Sequence, residues 1–258
     1  MIFDTHMHSE FSFDAELTVD EILESKNKLN IGISLTEHID LDCPNLPLMN
    51  VDEYLEFYKS YRNDSFLIGI ELGMSEFCIE ENKFFLQKYQ DKLDIIIGSI
   101  HTINKEDIYT FIDQEGLVKE EVYKDYLKAM LFAVKEFDFY DTLAHIDYIC
   151  RYARFNDKEL YLEEYSKIID NIFKVLIEKD KCLELNTRRL DDPKAFDNML
   201  SIYTRYKNLG GKYVTLGSDA HYQEDIAKNF KFAIDILHKT GLKPVYFKNR
   251  KRIIYDIN

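Results

Sequence analysis

The chain has 258 residues, 46% of them hydrophobic, enough for one large α/β domain or two small ones with a sizeable core. Its 33 basic and 47 acidic side chains give a formal charge of −14, which argues against a protein that tracks a phosphate backbone, so nucleic acid is not an expected partner. Cys43, Cys78, Cys150 and Cys182 are too scattered for a zinc finger or a small disulfide scaffold, and no stretch reaches the ~18 apolar residues of a membrane span; a soluble cytoplasmic protein with reduced thiols is expected.

Seven short apolar runs recur along the chain, each too brief for a helix: Ile2 to His6, Gly32 to Thr36, Leu67 to Glu71, Asp94 to Ser99, Thr142 to His145, Cys182 to Asn186 and Tyr213 to Ser218. Buried parallel strands have this composition. Helices are predicted between them. The first begins at Thr18, which has capping-box spacing to Glu21 ahead of Ile22 and Leu23. The others span Asp52–Tyr61, Glu80–Lys92, Val118–Phe137, Leu160–Lys179, Pro193–Asn208 and Gln223–Lys239, several with apolar residues at three- and four-residue steps, such as Ile168, Ile172, Val175 and Leu176. No linker-like stretch divides the chain, so residues 1–258 read as a single domain, with Pro244 to Arg250 as an extra extended segment that covers the barrel.

Alternating strands and helices fit either a barrel or an open doubly wound sheet. The polar residues at the strand ends favour the barrel. His6 and His8 close the first run, and alternation puts both imidazoles on one face of a strand. Asp219 and His221 close the seventh run with the same spacing. In both architectures functional groups gather at the C-terminal ends of the strands, but only closure brings the first and last strands together. The expected fold is therefore a distorted (β/α)7 barrel with a metal site at the C-terminal ends of its strands.

Every run but the sixth ends in a plausible ligand: His6 and His8, His38, Glu71, His101, His145, and Asp219 with His221. A lone histidine at such a place is more often a hydrogen-bonded structural residue, but six at corresponding places are not independent accidents. So many imidazoles and carboxylates are costly to bury unless cations organise them. The set exceeds the needs of one tetrahedral ion and suits zinc, manganese or iron. With Glu71 as bridge, a two- or three-metal centre with ions ~3.5–4 Å apart suits in-line attack of activated water on phosphorus, and hence phosphoester hydrolysis. Asp14 is either a further ligand on a loop that folds back or a solvated carboxylate. His238, late in a predicted helix, interacts favourably with the helix C-terminus and is left out.

The ordered segments Asp4-Thr5-His6-Met7-His8-Ser9, Thr36-Glu37-His38, Gly69-Ile70-Glu71, Ser99-Ile100-His101, Ala144-His145-Ile146-Asp147 and Gly217-Ser218-Asp219-Ala220-His221 resemble the ligand-bearing segments of the polymerase and histidinol phosphatase (PHP) superfamily. The resemblance implies a distorted (β/α)7 barrel with up to three metals. It also implies that His6, His8, Glu71 and Asp219 hold one ion, Glu71, His101 and His145 a second, and Asp14, His38 and His221 a third. Some members carry histidine where Asp14 stands, making the third site here more oxygen-rich. A free-standing chain of this size, with Asn186-Thr187 and Phe247-Lys248-Asn249-Arg250, resembles the histidinol-phosphate phosphatases, which implies hydrolysis of L-histidinol phosphate in histidine biosynthesis.

Phosphate recognition calls for a cation besides the metals, preferably arginine for its planar fork. Arg151 is the first choice, being nearest in sequence to a ligand; Arg154, Arg188 and Arg189 are the others, and each has the alternative of pairing with a surface carboxylate. Asp14 or His221 is expected to protonate the leaving alkoxide. Two other readings stand beside this one: a phosphoesterase acting on another small monoester or diester, and a catalytically silent metal-binding module.

Overall fold

The computed structural model describes residues 1–43, 46–112 and 114–257. Seven parallel strands form its centre: β1 Phe3–Asp4, β2 Gly32–Ile39, β3 Phe66–Gly73, β4 Ile95–Ser99, β5 Thr142–Leu143, β6 Cys182–Asn186 and β7 Tyr213–Gly217. Each pairs in parallel with the next in chain order. Parallel neighbours need a crossover. The crossovers are made by helices α1 Val19–Leu29, α2 Val51–Tyr58, α3 Ile79–Tyr89, α4 Lys119–Glu136, α5 Leu162–Glu178 and α6 Pro193–Asn208, and α7 Phe230–Thr240 follows the seventh strand. The strands are covered on both faces, and all eight residues of β3 are buried. The capping box of α1 forms, with Thr18 N donating to Glu21 Oε2 at 2.9 Å and Glu21 N donating to the Thr18 hydroxyl.

The sheet closes where the chain leaves β1 and β7. Thr5 N donates to Leu216 O at 2.8 Å, Asp219 N to His6 O at 2.7 Å and His8 N to Ala220 O at 2.9 Å. These bonds place the His-x-His segment beside Asp219 and His221, the juxtaposition expected of a closed (β/α)7 barrel. At the opposite mouth the ring is wedged apart, which is the distortion. There β8 (Lys243–Lys248) pairs in parallel with the start of β7, and its Tyr246 ring stacks on Phe3 of β1 with centroids 3.7 Å apart.

That last segment is extended and covers the barrel at the mouth opposite the ligands. It turns back as an antiparallel hairpin with β9 (Lys251–Ile254) through Asn249 and Arg250, both in the left-handed region at φ 49° and 62°. Arg250 offsets the strain of that conformation by donating from Nε to Asp141 Oδ2 at 2.5 Å, while Asn249 N donates to Asp94 Oδ1 at 2.9 Å. Val245 and Phe247 then pack with Ile95, Ile97, Ala144 and Cys182 in a small apolar cluster separate from the main core. Alternation puts these strand residues on the inner face, since Ile96, Leu143 and Leu183 belong to the helix-covered outer core. The barrel is thus apolar at one end, leaving the other for polar chemistry.

The expected helix Gln223–Lys239 is shorter than its sequence pattern. A 3₁₀ turn occupies Gln223–Asp225, and α7 starts only at Phe230. Ala227 and Asn229 adopt φ of 54° and 63°, because Ala227 N is drawn to Asp4 Oδ2 at 2.9 Å and the chain cannot continue as a helix. Cys78, Cys150 and Cys182 are buried and Cys43 is partly exposed, all as free thiols. Among the described residues no helix is long and apolar enough to cross a membrane.

Candidate metal centre

Parallel strands deliver their C-terminal side chains to one rim, and here they converge on Glu71. Its Oε2 lies 2.9 Å from His38 Nδ1, 3.3 Å from His6 Nε2 and 3.5 Å from His8 Nε2; its Oε1 lies 2.9 Å from His145 Nε2 and 3.2 Å from His101 Nε2. One fully buried carboxylate therefore touches five imidazoles. Asp219 flanks it, with Oδ1 3.3 Å from His8 Nε2 and 3.7 Å from His6 Nε2, and Oδ2 4.0 Å from His145 Nε2. Closure of the barrel puts it there, and its backbone is in the left-handed region at φ 57°.

The outer part of the site is more open. The loop after β1 folds back over the rim, so that Asp14 Oδ2 lies 3.3 Å from His221 Nε2 and 3.6 Å from His38 Nε2, with 38% of its side chain exposed. His221 Nδ1 is 2.9 Å from the carbonyl of Asp219, which can only accept, so Nδ1 donates there and Nε2 is turned toward Asp14.

The donor set fits divalent metal. Four groups of three have ligand atoms within 4.8 Å of one another: His6, His8 and Glu71; His6, His145 and Asp219; His38, Glu71 and His101; His8, His38 and His221. The nitrogens of His6 and His8 approach to 3.2 Å, closer than two lone pairs approach without a shared cation or proton. Glu71 Oε2, His38 Nδ1 and His101 Nε2 are buried without a hydrogen bond of acceptable geometry despite their short separations. The grouping differs in three respects from the sets implied by resemblance: His38 joins His101 and Glu71, His145 joins His6 and Asp219, and His8 rather than Asp14 groups with His38 and His221.

Several residues that hold the ligands were not apparent from the motif pattern. Glu184, in the middle of β6, places Oε1 2.6 Å from His6 Nδ1. Asp40, two residues past His38, places Oδ1 2.9 Å from His101 Nδ1. Ser12 Oγ lies 3.3 Å from His8 Nδ1 and donates to the buried Glu37 at 2.6 Å. The available signal for Glu184 was a carboxylate at alternating spacing with Asn186 inside an otherwise apolar run.

Protons take the place of cations when none is bound. Burial alone would lower His6, but the carboxylates of Glu184, Asp219 and Glu71 outweigh it and hold its pKa well above the ordinary value. The same contest, against burial, raises His38 to about 10, chiefly through Glu71 and Asp14, and raises His101 through Asp40 and Glu71. His8 goes the other way, lowered by burial and by the neighbouring His38 and His221. Against the cost of burial, Glu71 and Asp219 are held well below the usual carboxylate range by surrounding imidazoles and, for Asp219, first by Arg151.

The arginines separate by their partners. Arg151, with 7% of its side chain exposed, places Nη1 2.5 Å from Asp219 Oδ2 and lies over the Tyr148 ring, while its Nε and Nη2 have no hydrogen-bond partner among the described residues. Arg188 donates to the Asp219 carbonyl at 2.6 Å. Arg189 is committed to a buried ion-pair network with Asp147, at 2.9 Å, and Glu159. Arg154 is exposed beyond the short helix Ile149–Tyr152.

Residues 4–188 match the model of the PHP domain. The chain belongs to the PHP family. Asp219 and His221 lie beyond the matched segment, and the fold carries them into the site. A probable histidinol-phosphatase from Clostridium acetobutylicum is 41% identical over 252 residues, covering 97% of this chain and 98% of the relative. The histidinol-phosphatase of Lactococcus lactis is 34% identical over 249 residues, covering 92% and 91%. The crystal structure of a histidinol phosphate phosphatase from Lactococcus lactis, complexed with zinc, L-histidinol and phosphate, resembles this fold with a TM-score of 0.90 at 30% identity, covering 98% of each chain.

Proposed function

We propose that this chain is a metal-dependent phosphomonoesterase that hydrolyses L-histidinol phosphate to L-histidinol and inorganic phosphate, a late step of histidine biosynthesis, as one cytoplasmic domain over residues 1–258. The observation that carries it is the ring of five imidazoles around Glu71, with the buried Arg151 fork beside it offering two nitrogens without a hydrogen-bond partner among the described residues. The substrate assignment is supported by the relatives of similar length and by the zinc, histidinol and phosphate held in the Lactococcus lactis structure.

Two or three divalent ions, zinc, manganese or iron, would be held by His6, His8, Glu71 and Asp219, by Glu71 with His101, His145 and His38, and at the rim by Asp14, His38 and His221. Such ions polarise phosphoryl oxygens and lower the pKa of water, so that no strong side-chain base is needed. Arg151 presents its planar fork to the phosphoryl oxygens, where charge-assisted hydrogen bonds stabilise the in-line transition state. Arg188, tied to the Asp219 backbone, is the second candidate for that contact, whereas Arg189 serves the fold through Asp147 and Glu159.

Water adds to phosphorus, the bond from phosphorus to the substrate's ester oxygen breaks, and that oxygen needs a proton. Asp14 is held well below its ordinary pKa, by His221 and His38 against the effect of burial, so it stays ionised and accepts rather than donates. His221 Nε2, at the open rim beside Asp14, is the group placed to relay that proton from solvent; were His221 to serve as a ligand with Asp14 and His38, the proton would come from solvent directly.

The test is steady-state kinetics on protein of measured metal content, using histidinol phosphate, simple phosphate monoesters and a phosphodiester. Efficient turnover of histidinol phosphate with little diester cleavage is expected. Preference for another ester, or full metal with no turnover of any monoester, would overturn the assignment.

A further inference from the structure

Beneath the ligands, Glu184 occupies a position that metal coordination by itself does not explain. It is fully buried on β6 and both its oxygens are engaged from different strands. Oε1 lies 2.6 Å from His6 Nδ1, and Oε2 accepts the backbone N–H of His145 at 2.7 Å. Asn186, two residues on, spans 3.3 Å to Glu184 Oε2 and 3.3 Å to Asp219 Oδ2 from its one amide nitrogen. His6, His145 and Asp219 form one of the groups able to hold an ion, so a single carboxylate touches two of the three and reaches the third through Asn186. The neighbouring chain makes room for it: a β-carbon at Gly217 would collide with Glu184 Oε1 and lie 2.6 Å from Cβ of His6. The Tyr203 hydroxyl anchors the Glu184 carbonyl from the outer side.

We propose that Glu184 is a positioning residue for the metal centre, holding His6 with its proton on Nδ1 and its Nε2 lone pair toward the ion while fixing the backbone that carries His145. The His145 N–H is a donor without alternative, and His6 can ligate through Nε2 only if Nδ1 is also a donor. Their shared partner must therefore accept on both oxygens, which a carboxylate does and a carboxamide does not. A glutamine of the same shape either presents its NH₂ to His6, reversing the tautomer, or to the His145 N–H, opposing two donors. The partner nitrogen of His8 meets a serine hydroxyl instead, so the two histidines of the His-x-His pair are held by groups of different charge. Carboxylate support raises the basicity of a ligating imidazole, and losing it typically weakens metal binding by about 10–100-fold.

The inference rests on the metal-centre reading but not on the substrate. Its test is zinc binding to metal-stripped wild type, Glu184→Gln and Glu184→Asp, measured by competition with a chromophoric chelator, with metal-free melting curves and the visible spectrum of the cobalt-loaded proteins alongside. Zinc binding by wild type tests the metal centre itself, and its absence would overturn that reading and this one together. With wild type binding, Glu184→Gln is expected to bind at least one ion about 10–100-fold more weakly and to change the cobalt spectrum while keeping its fold. Glu184→Asp keeps the buried charge but is a methylene too short to reach both partners, and it is expected to show the same loss. Wild-type zinc affinity in either folded variant would overturn the proposal, and Glu184→Asp decides it should Glu184→Gln not fold.

Discussion

Arg151 Nη1 sits 2.5 Å from Asp219 Oδ2, so a cation and a candidate ligand carboxylate share the floor of the site while two further guanidinium nitrogens, without a partner among the described residues, are left for another acceptor. Arg151→Ala is therefore expected to lower kcat/KM for histidinol phosphate by roughly 10²-fold, the usual loss when one preorganised donor to a developing anion is removed. Arg151→Lys should recover only part of it, because lysine cannot present the fork. Inhibition by inorganic phosphate should weaken in parallel; unchanged phosphate inhibition would place the clamp elsewhere, with Arg188 next in line.

Among the described residues Glu71 is the one carboxylate in reach of five imidazoles. Glu71→Ala is expected to lose bound metal and to lower kcat on the order of 10²-fold or more, as removal of a bridging ligand dismantles more than one ion position. Metal content by elemental analysis and kcat should fall together. Full metal with full rate would exclude the bridging role.

Removing the metals should make stability depend on pH in a defined sense. In the metal-free protein His6, His38 and His101 have folded-state pKa values raised above the ordinary 6.5. Their contribution is complete below that value and is lost as pH rises through the raised values, which for His38 is about 10. His8 and His145, lowered by burial, act oppositely and weaken the fold as pH falls below 6.5. The metal-free melting temperature should thus decline on the alkaline side, and zinc added at neutral pH should displace protons. Calorimetric titration in buffers of different ionisation enthalpy counts them; no release would contradict the protonated cluster.

The far end of the barrel should be separable from the chemistry. Phe247→Ala empties part of the inner apolar cluster and is expected to cost about 3–5 kcal/mol in urea unfolding. Its zinc affinity and kcat, measured where the protein is folded, should stay at wild-type values. A selective loss of zinc binding would show that the plug also shapes the ligand end.

Much of this molecule was legible in the residues themselves. Short buried parallel strands reveal themselves as apolar runs, and Thr18 with Glu21 marked the start of α1, because these features depend on neighbours a few positions away. The ligand residues were visible for the same reason, each standing at the end of a run. Asp14 was ambiguous from spacing, since a loop carboxylate has no periodicity to say where the chain folds back.

What only the tertiary structure decided was contact between distant segments. The pairing of Thr5 with Leu216 set His6 beside Asp219, and no local pattern encodes a hydrogen bond across 211 residues. The break before α7 came from Asp4 capturing Ala227 N, although the helical pattern ran straight through it. The terminal hairpin filled the apolar mouth rather than covering the metal end because Asp94 and Asp141 captured Asn249 and Arg250 there. Glu184 acquired its place under His6 only when Gly217 left it room. Sequence by itself determined which residues have the chemistry of ligands; closure of the barrel, a matter of long-range packing, determined which of them share an ion and what holds them there.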